Sequence, residues 1–151
     1  MPDYHAFMPV FRIVRRTAAP ATDAWLRLTD WERHGAQVPL TRTVIDTAGP
    51  TRAGTVFTAR SGVGRVTVDD PMEVTLWRPP EEDRPGLVRL EKRGRVVLGW
   101  AEIEVRPRPA GGAEVHWRED LRLRGLPRFL DPVVAAVGRR VFGRALDRLL
   151  R

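Results

Sequence analysis

The C-terminal stretch, residues 126–151, restricts the possible folds of this chain more than any other segment does. Wound at about 100° per residue, it becomes a helix with arginines on one half and apolar side chains on the other. The apolar half comprises Leu130, Val134, Val137, Val141, Phe142, Ala145, Leu146 and Leu149. A single helix cannot bury so wide a face in water, so the rest of the chain must supply a broad apolar surface.

A sheet is the surface that the preceding residues can form. From residue 41 onward apolar and polar residues alternate, which predicts strands at residues 43–47, 55–60, 66–68 with 72–77, 87–92, 96–106 and 114–123. The breaks between them are short and rich in glycine and proline, so consecutive strands must be antiparallel. A first strand is predicted at residues 10–16, and two short helices follow it, opening at Pro20 and Asp30. Asp131 and Pro132 predict the start of the long helix, with Asp131 as its cap.

The predicted fold class is α+β. A curved antiparallel sheet of about seven strands wraps round the long C-terminal helix, with two short helices after the first strand. Residues 1–151 are expected to form a single domain. A cavity is predicted where the facing side chains are small, beside Gly99 and Ala101 in the sixth strand and Gly138 in the helix. The two glycines fit a second interpretation equally well, in which they only allow close packing.

Composition argues against several functional classes. The net charge of +7 comes from 25 arginines and one lysine spread along the chain, which argues against a nucleic-acid interface. No apolar run approaches the length of a transmembrane helix, and residues 1–10 lack the order of a signal peptide. We therefore expect no integral membrane segment and a cytoplasmic location. The absence of cysteine excludes disulfides, and the protein is expected to be a monomer or a homodimer.

A series of short motifs runs along nearly the whole chain. They are APA at 19–21, LTDWERH at 28–34, GTVF at 54–57, DPMEV at 70–74, WRPP at 77–80, RGRVV at 93–97 and VHWRE at 115–119. Their order and spacing resemble the START-like, or SRPBCC, superfamily, especially its polyketide cyclase/dehydrase-like branch, and the later motifs resemble an actinobacterial subgroup of it. The resemblance implies a helix-grip fold, in which a seven-stranded antiparallel sheet grips a C-terminal helix over a hydrophobic cavity.

The ligand implied by this resemblance is a small hydrophobic or aromatic molecule. The superfamily includes aromatase/cyclases, dehydratases and carriers of lipids or hormones, so the fold alone does not identify the substrate. Its cyclases use an interior arginine, and no motif here marks one. The side chains expected to line the cavity are Trp31, Phe57, Trp77, Gly99, Ala101, Trp117, Val134, Val137 and Val141. The aromatic residues among them also fit an ordinary core.

Glu119 is the first candidate for chemistry. It shares one face of the last strand with Val115, Trp117 and Leu121, so the alternation places a carboxylate among inward apolar side chains. Such a group either pairs with a cation or has a raised pKa, and a raised pKa suits a general acid or base. The alternatives are a structural pair with an arginine of a neighbouring strand, or a register bulge.

Two further residues are weaker candidates. Arg60 ends the third strand and would suit a carboxylate or enolate at the cavity mouth, although a solvated strand end explains it as well. His34 lies close to Trp31 on one helix and would suit proton transfer, although a surface histidine is the alternative. The aspartates before Pro71 are interpreted as the end of a strand turn. The three histidines lack metal-site spacing and no nucleotide motif is present, so neither a metal nor a cofactor is predicted.

Three functions remain open from the sequence. The first is a small-molecule binding protein with polyketide cyclase or dehydrase activity, the second is a non-catalytic carrier or sensor of lipid-like molecules, and the third is a protein-contact domain with a vestigial cavity. A closed, dry interior would favour the third, whereas a pocket of roughly 300 Å³ or more keeps the first two. Convergence of two or more polar groups on one point of that pocket would favour the enzyme over the carrier.

Overall fold

The computed structural model describes residues 10–151. Its elements are β1 (Val10–Thr17), α1 (Ala21–Leu28), α2 (Trp31–Ala36), β2 (Thr41–Ile45), β3 (Val56–Val63), β4 (Val66–Arg78), β5 (Gly86–Lys92), β6 (Val97–Pro107), β7 (Ala113–Leu123), a short 3-10 helix (Arg128–Leu130) and α3 (Asp131–Leu149). This order confirms the predicted α+β class, with two short helices after the first strand and one long helix at the C-terminus.

The strands form one seven-stranded sheet in the order β1-β7-β6-β5-β4-β3-β2. Every neighbouring pair is antiparallel, and the first strand, β1, pairs with the last strand, β7. The connections therefore lie alternately at two ends of the sheet. We call the end with the α2–β2, β3–β4, β5–β6 and β7–α3 connections the mouth end. The end with the β2–β3, β4–β5 and β6–β7 connections is the far end.

Helix α3 lies against the concave face of the sheet, but it is rotated from the orientation that its apolar pattern predicts. Its buried residues are Gly138, Gly143, Ala145, Leu146 and Leu149. Val137, predicted to face the cavity, is 57% exposed, and Val134 and Val141 are only half-buried. The prediction is wrong for Val137, and Val134 and Val141 lie at the edge of the buried face outside the cavity lining. The pattern centred the buried face on the valines, whereas the observed face is turned toward the glycines of α3 and keeps Leu146 and Leu149.

Gly138 shows how close that approach is. A Cβ atom built there would lie 2.9 Å from Cε1 of Phe11 and 3.1 Å from Cδ2 of Leu121, so the glycine allows close packing and opens no space. Gly99 is similar: its φ of +125° suits glycine, and a Cβ would overlap the carbonyl oxygen of Asp120. Of the two interpretations that the sequence left open for these glycines, the structure supports close packing.

The caps of the helices agree with the sequence in one case and differ in another. The side chain of Asp30 accepts a hydrogen bond from the backbone N–H of Arg33, at 3.2 Å, and so caps α2 as predicted. Asp131 is instead the first residue of α3 and makes no capping hydrogen bond. Helix α2 then packs directly on β2, because a Cβ on Gly35 would overlap the hydroxyl of Thr43. This close contact holds Trp31 and His34 over the sheet.

Candidate functional site

A cavity of about 330 Å³ lies between the concave face of the sheet, α2 and α3. Strands β2 to β7 line it, α2 supplies Trp31 and His34, and α3 supplies Phe142. Val68 and Leu123 line the cavity while remaining exposed to solvent, so the cavity reaches the surface at the mouth end. Its volume is at the lower end of the range for small-molecule sites.

Aromatic rings form much of the wall. Trp31 stacks on Phe57 with ring centroids 4.6 Å apart, and Trp117 stacks on Phe142 at 5.1 Å. The His34 ring joins the two pairs, because it lies 5.0 Å from the ring of Trp117 and 6.4 Å from that of Trp31. Flat apolar walls of this kind are suited to a ring-shaped ligand.

Three charged side chains meet in the same cavity. The ammonium of Lys92, at the end of β5, lies 2.7 Å from Oδ2 of Asp70 on β4 and 3.8 Å from Oε1 of Glu119 on β7. Lys92 and Glu119 are on opposite sides of β6, whose inner face carries Gly99 and Ala101 at this level. No bulky side chain therefore separates them. The side chains of Lys92 and Glu119 are each only 3% exposed.

Burial controls the protonation of this cluster. It raises the pKa of Glu119 to about 7, against a smaller opposing effect of the Lys92 ammonium and with a further rise from the charge of Asp70. Burial also raises the pKa of Asp70 despite its contact with Lys92. For Lys92, burial alone would lower the pKa, but the two carboxylates outweigh it and the net shift is upward. Near neutral pH, Lys92 is charged and Glu119 exists in both forms.

His34 is held neutral at the opposite wall. Burial lowers its pKa to about 4, because the imidazolium would lose its hydration there. The residue as a whole is half-buried, but its Nε2 atom is enclosed. His34 can accept or donate a hydrogen bond through that atom, and it is not a cation in the neutral pH range.

Four polar atoms of the cavity-lining residues have no hydrogen-bond partner within residues 10–151. They are Nε2 of His34, Oδ1 of Asp70, Nε1 of Trp117 and Oε2 of Glu119. Buried polar groups in folded proteins are almost always paired, so these four atoms are available for hydrogen bonds to a molecule in the cavity.

The structure brings together six of the residues predicted from the sequence. Those that line the cavity are Trp31, His34, Phe57, Ala101, Trp117 and Glu119. The residues outside its lining are Arg60, Trp77, Gly99, Val134, Val137 and Val141. Trp77 packs against Trp25, with ring centroids 5.0 Å apart. Arg60 pairs with Asp69 on the surface, at 2.7 Å.

Two residues of the charged cluster were missed in the sequence. Asp70 was interpreted as part of a turn, but it lies within β4, where Asp70, Met72 and Val74 alternate onto the inner face. Lys92 had a stronger signal, because it is the only lysine beside 25 arginines and it continues the inward series of Val88 and Leu90. Continuing the alternation through residues 69–71 predicts Asp70 on the inner face, and applying it to the last residue of the strand predicted at 87–92 predicts Lys92 there.

Residues 10–151 contain no group of three or more histidine, aspartate or glutamate side chains placed to hold a metal ion. Among the helices of the same residues, none is both long enough and apolar enough to cross a bilayer.

Comparison with known proteins agrees with this geometry. The family model described as "Polyketide cyclase / dehydrase and lipid transport" matches residues 8–151. The chain belongs to this family. It has the family's START-like, ligand-binding helix-grip fold, with the sheet, the C-terminal helix and the cavity between them. A search of curated proteins found no significant match.

Solved structures with the family's fold match most of this chain. An aromatase/cyclase from Streptomyces sp. R1128 is 19% identical, with 93% of this chain and 90% of that one covered and a TM-score of 0.66. A START superfamily protein from Mycobacterium smegmatis is 12% identical, with 93% and 96% covered and a TM-score of 0.69. Norcoclaurine synthase from Thalictrum flavum is 16% identical, with 93% and 92% covered and a TM-score of 0.61. At these identities the likeness shows a shared fold.

Replacing Glu119 by glutamine tests the energetics of the cluster. The folded state keeps a proton on Glu119 up to pH about 7, whereas the unfolded chain releases it near the ordinary value of 4.5. The stability of the wild type therefore falls as pH rises through this window, by about 3 kcal/mol at 1.4 kcal/mol per pKa unit. Glutamine cannot ionise, so Glu119→Gln should be more stable than the wild type at pH 8 and about equal to it at low pH.

Urea denaturation of both proteins at several pH values between 4 and 8 measures this difference. Because the pKa of His34 is lowered by folding, His34 makes the free energy of unfolding rise with pH between about pH 4 and 6.5. This contribution is the same in both proteins, so it cancels in the difference between them. A loss of stability in Glu119→Gln at pH 8 would mean that Glu119 acts as a structural ion pair.

Proposed function

We propose that this protein binds a small, mostly apolar, ring-bearing molecule in the cavity and transfers a proton at a carbon next to its carbonyl group, as in cyclisation or dehydration. The observation that carries the proposal is the position of Glu119. Its carboxyl group has a pKa of about 7, its Oε2 atom has no partner among the described residues, and it faces the cavity beside the Lys92 ammonium. A general base with a pKa near the working pH is the most effective kind.

The chemistry follows from the two charges. The substrate's carbonyl oxygen would lie at Lys92, whose ammonium stabilises the negative charge that develops on that oxygen. The Glu119 carboxylate removes the proton from the adjacent carbon and forms an enolate. In a β-hydroxy ketone, the enolate expels the hydroxyl group, which takes the proton from Glu119 and leaves as water. Glu119 returns to its carboxylate form, so the cycle needs no further reactant.

The other polar atoms would orient the substrate. The Trp117 N–H and His34 Nε2 lie on the aromatic side of the cavity and have no partner within the described residues. They would hydrogen-bond to oxygen substituents on the ligand ring, while Asp70 holds Lys92 in place at 2.7 Å. The interior cation of the cluster is a lysine, whereas the cyclases of the resembled superfamily use an arginine. Lysine acts as a point charge and lacks the forked donors of arginine.

A non-catalytic carrier of a lipid-like ligand is the second candidate. It is favoured by the mainly apolar lining contributed by residues such as Leu90, Val97 and Ile103. A carrier needs a shaped apolar cavity, but it does not need two buried carboxylates and an ammonium in contact. Burial of unpaired charge is unfavourable, so a cluster that binding alone does not require favours the catalytic function.

A small β-hydroxy ketone with a phenyl ring, 4-hydroxy-4-phenylbutan-2-one, is a probe for this activity. Its dehydration gives a conjugated enone that is followed by ultraviolet absorbance. We expect the protein to accelerate this dehydration, with a rate that rises through pH 7 as Glu119 ionises, and Glu119→Gln to be slower by about 100-fold or more. Arg60→Gln is the matched control, because Arg60 lies outside the cavity lining.

Binding is measured separately by quenching of tryptophan fluorescence, since Trp31 and Trp117 line the cavity. Binding of the probe without dehydration by the wild type, or equal dehydration rates for the wild type and Glu119→Gln, would support the carrier.

A further inference from the structure

The mouth end of the sheet is also where apolar side chains protrude into solvent. Val66 at the β3–β4 turn is 80% exposed, Phe129 in the β7–α3 connection is 77% exposed, and Leu40 before β2 is 69% exposed. Val63, at the other side of the β3–β4 turn, and Val96, in the β5–β6 connection, are exposed as well. All four connections of this end thus present at least one large apolar group to water. Together they line one end of the sheet, which makes this end a candidate interaction surface.

The charges of the same connections have a single sign. Residues 37–40, 61–66, 93–96 and 124–130 contain no aspartate or glutamate. They carry exposed arginines, of which Arg65, Arg95, Arg124 and Arg128 form no ion pair with any residue of 10–151. The far end carries both signs, since its β4–β5 connection contains Glu81, Glu82 and Asp83 and its β6–β7 connection contains Arg108. The positive charge and the protruding apolar groups therefore coincide at the end where the cavity opens.

We propose that the mouth end docks on the surface of an anionic lipid bilayer. The apolar tips would enter the interfacial layer, and the arginines would lie among the lipid phosphates. Binding of this kind combines buried apolar area with attraction to anionic lipid. The cavity would then open toward the hydrocarbon, where an apolar ligand is concentrated.

A bilayer fits this surface better than a folded protein partner does. The apolar groups lie on four separate connections and form separate protruding tips. A stable protein–protein interface needs a continuous, well-packed area. The arginines among them are four unpaired charges of one sign, which complement a sheet of lipid phosphates.

Vesicle sedimentation tests the proposal with the whole chain. We expect binding to vesicles that contain phosphatidylserine, little binding to phosphatidylcholine alone, and loss of binding at high salt, because salt screens exposed charges. The double variant Val66→Asp/Phe129→Asp and the double variant Arg65→Ala/Arg128→Ala should each bind phosphatidylserine vesicles about tenfold or more weakly.

Two matched controls lie away from the mouth end. Leu26 on α1 is 67% exposed, so Leu26→Asp makes the same kind of change at a comparably exposed site. Arg52 is exposed in the β2–β3 connection of the far end, so Arg52→Ala removes an arginine there. Both controls should bind like the wild type, and thermal melts should show that every variant is folded.

Several results would overturn the proposal. They are no binding to phosphatidylserine vesicles, equal binding to both kinds of vesicle, equal losses in the controls, or a dimer in solution that Val66→Asp/Phe129→Asp dissociates. The result is independent of the proposed catalysis, because Val66 and Phe129 lie outside the cavity lining. The variant Val66→Asp/Phe129→Asp should dehydrate the soluble probe at the wild-type rate.

Discussion

Replacing Leu146 by aspartate is expected to unfold the domain. Leu146 lies on α3, is fully buried and belongs to the core between the helix and the sheet. The substitution removes a large apolar side chain and places a carboxylate where water cannot reach it, which together amount to about 5 kcal/mol or more. Domains of this size have a total free energy of unfolding of about 5 to 15 kcal/mol. Circular dichroism at 25 °C and a thermal melt would detect the loss.

The matched control on the same helix is Val137→Asp. Val137 belongs to the same apolar half in the sequence, but it is 57% exposed in the structure. Its replacement should change the free energy of unfolding by about 0.5 kcal/mol or less. If Val137→Asp were as damaging as Leu146→Asp, α3 would be rotated toward its valines, as the sequence pattern alone predicts.

This pair of residues shows where sequence periodicity stops being informative. The alternation of the strands and the glycine-rich and proline-rich turns predict an antiparallel sheet with one long helix, because those features are local. The rotation of α3 is not local: it depends on how closely Gly138 can approach Phe11 and Leu121, which belong to β1 and β7. Hydrophobicity favours burial of the valines, and close packing favours burial of the glycine. Close packing determines the result.

In the site too, local features could be predicted from the sequence and long-range contacts could not. Glu119 could be placed inward from the alternation of β7 alone, and the structure puts it in the cavity wall at 2% exposure. The abundance of arginine in the chain favoured an arginine of a neighbouring strand as the partner of Glu119, and this did not identify the right residue. Within residues 10–151 the cation near Glu119 is Lys92, on β5, which reaches across β6 over Gly99 and Ala101. A long-range pair of this kind depends on strand order and on small residues in the strand between.

Lys92→Met is expected to have the second large effect, and one that depends on pH. The substitution keeps most of the apolar stem but leaves Asp70 and Glu119 as buried carboxylates without their cation. Removing one partner of a buried ion pair reduces the free energy of unfolding by about 3 to 5 kcal/mol. Protonation relieves the uncompensated charge, so the loss should be large at pH 8 and much smaller at pH 5.

The direction in which the stability of Lys92→Met changes with pH follows from the direction of each pKa shift. The pKa of Lys92 is raised by folding, so its own contribution is constant from pH 5 to 8 and is lost only at strongly alkaline pH. Asp70 and Glu119 already have raised pKa values with Lys92 present. Without it both should rise further, so the folded variant holds protons that the unfolded chain releases. Its stability therefore falls as pH increases.

Urea denaturation of Lys92→Met and the wild type at pH 5 and pH 8 measures the effect. Arg93→Met is the matched control, because Arg93 is the next residue and pairs with Glu91 and Glu73 at the exposed surface. Such surface pairs contribute about 1 kcal/mol or less. Adding Asp70→Asn to Lys92→Met should restore part of the stability at pH 8, since it removes one of the two buried charges. Equal losses at both pH values would show that Lys92 stabilises the domain through packing and not through its charge.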